Sequence, residues 1–120
     1  MAKARIALAA SFERNLETMR LFLEDSGAAA NVFDGVVKAI VERLFPLLES
    51  HPRVGRDWLL SRPATDSGKL LRQRVVEKLG SSRELREVVL DDLLVLYAVD
   101  ANTLTLLAVR HHRQMGYDLR

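Results

Sequence analysis

Near the end of the chain Arg110, His111, His112 and Arg113 run consecutively, and Tyr117 follows shortly after. Cutting RNA without a metal takes a base for the 2′-hydroxyl, cations for the crowded phosphate and an acid for the leaving oxygen. Arg110, His112, Arg113 and Tyr117 bring those chemistries into one short segment. A structural reading stands beside the catalytic one: Arg110 pairing an acid such as Glu87 or Asp91, and His111 hydrogen-bonded at a strand end. Along a regular strand, alternation puts Arg110 and His112 on one face and His111 and Arg113 on the other. The two adjacent histidines then cannot share a metal ion. His51 is the only other histidine and cysteine is absent, so neither a metal nor another cofactor is expected.

A second group of chemistry-bearing residues lies upstream. From Arg53 to Arg86 there are nine cations against four acids, whereas residues 1–50 hold six cations and seven acids. Arg53, Arg56, Arg72, Arg74 and Arg86 are the candidates here for contacts to a nucleic acid or to an acidic partner. The alternative is a solvated face, diluted by Glu77 and Glu84. Of 18 cations in the whole chain only four are lysine. Arginine's planar fork suits phosphate and carboxylate, so the bias points towards anionic partners.

These residues need a scaffold, and 120 residues with 48% apolar and 28% charged side chains are enough for a single folded domain. A disordered chain and a disulfide framework are both excluded. No segment approaches the roughly 18 apolar residues of a membrane span. The opening run from Ala4 to Ala10 is also too short for a signal-peptide core and reads as a first strand. A cytoplasmic protein without a membrane partner is the expectation.

After that strand, Ser11 is a helix N-cap candidate, and Phe12, Leu16, Met19 and Leu23 draw an apolar stripe ending at Asp25-Ser26-Gly27. A second helix keeps the 3.6-residue period from about Ala28 to Ser50, with a kink or break expected near Arg43–Phe45 because Pro46 interrupts it. The two helices form an antiparallel hairpin. His51–Arg56 and Ser61–Ala64 read as turn-rich loops around Trp58, an aromatic anchor. Asp66 or Ser67 starts a third helix that ends at Gly80. Glu84–Leu90, Leu93–Val99 and Thr103–Arg110 are strands whose two short turns allow only antiparallel hairpins. The fold class is therefore α+β: a strand, a helix hairpin, then a three-stranded antiparallel meander in one sheet with the helices on one side.

This order resembles the RelE/ParE superfamily of type II toxins, of the plasmid-stabilisation kind. The likeness rests on Phe12-Glu13-Arg14-Asn15-Leu16-Glu17, on Pro46-Leu47-Leu48 with His51-Pro52-Arg53-Val54-Gly55-Arg56, and on Leu96–Asp100 followed by Leu106–Gln114. Residues 61–82 look like an insertion within a single 1–120 domain. The resemblance implies a growth-inhibiting toxin silenced by a small antitoxin, whose acidic tail some of the arginines would receive. It implies one of two targets: DNA gyrase, blocked without RNA cleavage, or translated mRNA on the ribosome, cut by a metal-independent endoribonuclease. The cleaving branch uses a cluster of lysine and arginine near the C-terminus, and this chain has no lysine after Lys78. Its Arg-His-x-Arg ending looks more like the gyrase-directed members. A non-toxic binding module of the same fold is the third expectation, with a homodimer or a toxin–antitoxin hetero-oligomer as the assembly.

Overall fold

The computed structural model describes residues 3–28, 30–57 and 84–112. The expected third helix, Trp58, the 61–82 insertion, and Arg72, Arg74, Arg113 and Tyr117 lie outside the described residues. Among those described, the order is β1 (Arg5–Leu8), α1 (Ala10–Asp25), α2 (Ala30–Ala39), a π-helical turn (Ile40–Leu44), α3 (Phe45–Ser50), β2 (Arg56–Asp57), β3 (Glu84–Leu90), β4 (Leu93–Asp100) and β5 (Thr103–His111).

The apolar stripe of α1 turns inward as its spacing requires: Phe12, Met19 and Leu23 are buried and Leu16 packs beside them. On the outer side Arg20 bonds both Glu17 and Glu24, which holds the Glu17 carboxyl below the usual carboxylate range. The start differs from the expected Ser11 cap. The helix begins at Ala10, Ala9 occupies the cap position without a side-chain bond, and Ser11 is already inside the first turn. The end follows the glycine signal. Gly27 takes φ 77°, Ala28 N–H donates to Leu23 O and Gly27 N–H donates to Glu24 O, which is the Schellman arrangement.

The second helical segment leaves α-helical geometry just before Pro46, where proline predicts a break, by a specific device. Pro46 has no N–H to give, and its ring crowds the carbonyl four residues back. The chain answers by widening the preceding turn into a π-turn, in which Phe45 N–H reaches Ile40 O. Ile40, Leu44 and Leu48 stay buried through it. Completely burying side chains such as Phe12, Met19, Leu44 and Leu48 stabilises by about 1.5–3 kcal/mol each.

The sheet is larger and more mixed than a three-stranded meander. Its order is β1-β5-β4-β3-β2, with β1 parallel to β5 and every other neighbour antiparallel. Short loops dictate the hairpins, whereas the long return from β1 to β5 leaves a parallel pairing open, and β1 takes it. The segment expected as loop contributes an edge strand, Arg56–Asp57, paired with Arg86 and Glu87. β4 and β5 each extend one residue past the expected ends. Their two-residue loops place Asp91 (φ 53°) and Ala101 (φ 52°) in the left-handed region.

One face of the sheet carries Val88, Leu90, Leu93, Val95, Tyr97, Val99, Leu104, Leu106 and Val109 against the helices. The other face holds a smaller cluster of Leu85, Leu96, Ala98, Leu107 and Ala108. Leu107 and Ala108 both belong to that second cluster because β5 bulges there: Leu96 pairs with Ala108 but Tyr97 with Leu106. β1 ends at the same point, leaving the outer edge of β5 without a strand. Two polar residues of α1 close it. Ser11 Oγ donates to Leu107 O at 2.5 Å, and Asn15 Oδ1 accepts from Val109 N–H at 2.9 Å.

Candidate functional site

The sheet register separates the sequence-derived candidates into two regions. Arg86 shares its rung with Tyr97 and Leu106, while Arg110 shares its rung with Leu94 and, through it, Val89. The two arginines are thus three rungs apart and, by alternation, on opposite faces.

The first region is built around Gly55 and Tyr97. Tyr97 is completely buried, and its hydroxyl accepts the Gly55 N–H at 2.9 Å. Burial pushes the Tyr97 hydroxyl above its ordinary range, partly opposed by the Gly55 bond. A Cβ on residue 55 would sit 2.8 Å from both Glu87 O and the Tyr97 hydroxyl, so only glycine fits there. Arg86 donates to Gly55 O at 2.6 Å and to Glu84 at 3.1 Å. Arg53 reaches the same Glu84 at 3.2 Å. Arg86, with Arg53 beside it, holds the Glu84 carboxyl below the usual range. Arg56 pairs with Glu87, whose side chain is only 4% exposed. Arg53, Arg56 and Arg86 are therefore engaged with acids and backbone of their own fold. The sequence reading missed these acids as partners, although a pairing of Arg56 and Glu87 is implicit once β2 is known to flank β3.

The second region lies where β5 ends beside the β3–β4 loop. Glu87 and Asp91, the acids considered for Arg110, carry Arg56 and Arg43 respectively. The expectation that alternation holds His111 and His112 apart fails. The strand stops at His111, and His112 stands in the turn beyond it, so the period of two no longer applies. The rings come within 4.5 Å, inclined at 35°. Both face Asp92: His111 Nε2 lies 3.9 Å and His112 Nδ1 3.4 Å from its carboxylate oxygens. A backbone bond from His112 N–H to Asp92 O, 2.8 Å, fastens the strand end to the loop. His111 is buried, whereas His112 and Asp92 are open to solvent. Of the catalytic candidates within the described residues, Arg110 and His112, only His112 presents an imidazole to a carboxylate at the surface. The sequence marks Asp92 only as a turn residue; the Leu93–His111 pairing is what brings it to the histidines.

No helix among the described residues is long and apolar enough to cross a membrane. The family model for the ParE toxin of type II toxin–antitoxin system, parDE, matches residues 6–116. Among curated proteins no match to the chain is found. The chain belongs to the ParE toxin family, and is thus the toxin type of a type II toxin–antitoxin system.

Proposed function

We propose that this ParE-family chain inhibits growth by binding DNA gyrase in the cytoplasm, and that a cognate antitoxin silences it. The observation that carries the gyrase reading is the commitment of Arg53, Arg56 and Arg86. Arg53, Arg56 and Arg86 bond Glu84, Glu87 and Gly55 O and stand apart from His112, so they do not converge on one phosphate. Cleavage of RNA needs cations and a base focused on the same few atoms. A surface of arginines already fixed by acids suits recognition of a protein.

One geometric feature supports the mRNA endonuclease as the second reading. His112 Nδ1 lies 3.4 Å from an Asp92 oxygen, and a carboxylate that orients an imidazole prepares it as a general base.

Expression of the chain from a tightly repressed promoter separates the readings. For a gyrase inhibitor, growth stops with DNA-damage signalling while translation continues, and purified gyrase loses supercoiling activity in its presence. Toxicity then survives His112→Ala, and co-expressed antitoxin restores growth. Cut mRNA with arrested translation, abolished by His112→Ala, would instead establish the endonuclease. Absence of any growth defect would sink both and leave a binding module.

A further inference from the structure

We infer that Asp92, His111 and His112 form a binding site for a divalent first-row transition metal, with zinc as the abundant candidate. One ligand atom from each residue lies within 4.8 Å of the other two; His112 Nδ1 is 3.4 Å from Asp92 Oδ1 and His111 Nε2 is 3.9 Å from Asp92 Oδ2. Zinc binds imidazole nitrogen and carboxylate oxygen at about 2.0–2.2 Å. Ligand atoms around one ion in tetrahedral geometry are then about 3.3–3.5 Å apart. Closing a set that spans up to 4.8 Å onto one ion therefore needs side-chain adjustments of about 1–1.5 Å.

The chemistry of the set selects the class of ion. Two imidazoles with one carboxylate suit zinc, nickel, copper or cobalt, whereas magnesium and calcium prefer all-oxygen shells. The backbone holds the set in place before any ion arrives. Asp92 sits in a two-residue loop whose neighbour Asp91 is tied to Arg43. Its own carbonyl accepts the His112 N–H, and His111 pairs with Leu93 in the sheet. Three protein ligands leave the remaining coordination positions to water, on the side where His112 and Asp92 meet solvent. Bound there, the ion would cross-link the end of β5 to the β3–β4 loop. The site depends on neither functional reading, since metal binding and toxicity are measured separately.

The test uses the full untagged chain, stripped with chelator and titrated with zinc chloride by calorimetry, with cobalt(II) absorption as the coordination probe. One equivalent per chain is expected, with a raised melting temperature and cobalt bands of a nitrogen–oxygen site. Asp92→Asn and His112→Ala alter exposed side chains and keep the fold, which circular dichroism checks. Each should weaken zinc binding by roughly a hundredfold or more, beyond what loss of a merely orienting partner causes. His51→Ala should change nothing. Absence of saturable uptake at one equivalent, or uptake that persists in both site variants, would overturn the assignment and leave an Asp–His ion-pair cluster.

Discussion

At the scale of single residues, Gly55 has the least freedom to change. Its N–H is given to Tyr97 and its carbonyl to Arg86, and the space where a side chain would begin is filled from two sides. The nearer obstacles are a backbone oxygen and a fully buried hydroxyl, neither able to swing away. Gly55→Ala should therefore cost about 1–3 kcal/mol, the range for overpacking a close-packed interior. Tyr97→Phe relieves no such crowding in the wild type, yet it leaves the Gly55 N–H without its acceptor and costs about 1–3 kcal/mol. In the double variant Tyr97→Phe/Gly55→Ala the costs should fall short of additive, because removing the hydroxyl makes room for one side of the new methyl. Urea melts of the three variants measure this. An additive or greater loss would show that Glu87 O alone sets the clash.

At the scale of elements, the outer edge of β5 depends on α1. Leu107 C=O and Val109 N–H would face an unpaired edge once β1 stops, and buried backbone groups without partners are expensive. Ser11 and Asn15 answer them from one face of the helix, and both are buried. Asn15→Leu keeps the branching at Cγ but removes the acceptor, so it should destabilise by about 1–3 kcal/mol. Hydrogen exchange at Val109 should accelerate more than at Val95, whose partners lie within the sheet. Equal acceleration at the two positions would mean that Asn15 acts through packing alone. The sequence carried a hint of this role, since Ser11 and Asn15 are polar residues one turn apart on the inward side of an otherwise apolar stripe. The helices, the break before Pro46 and the two hairpins were legible because local periodicity and short loops determine them. The parallel pairing of β1, the edge strand β2 and the bulge at Leu107 were not, because each depends on contacts distant in sequence. The same limit governs the site. Arginine positions could be read off the chain, but their acids could not, and alternation misplaced His112 because it presumes that the strand continues.

At the scale of the whole molecule, two groups at the same end of the sheet set opposite limits on the pH range of stability. Glu84 has its folded-state pKa lowered by Arg86 and Arg53. Its contribution is complete above the unfolded carboxylate value of about 4.3 and is lost as pH falls through the lower folded value. Since Glu84 is 42% exposed, solvent screening limits that contribution to about 1 kcal/mol or less. Tyr97 has its folded-state pKa raised by burial. Its contribution is complete below the unfolded tyrosine value of about 10 and is lost as pH rises through the higher folded value. Thermal melts should consequently show a plateau bounded on both sides, with each variant changing only one flank. Glu84→Gln should lower the melting temperature at neutral pH, and the difference should shrink below about pH 4 as the wild-type carboxyl also becomes neutral. Tyr97→Phe should be less stable at neutral pH and approach the wild type above about pH 10, where the native tyrosine must resist ionisation and phenylalanine need not. A Tyr97→Phe deficit that stays constant through the alkaline flank would mean that other groups titrate there, and that the buried hydroxyl acts only as the acceptor for Gly55.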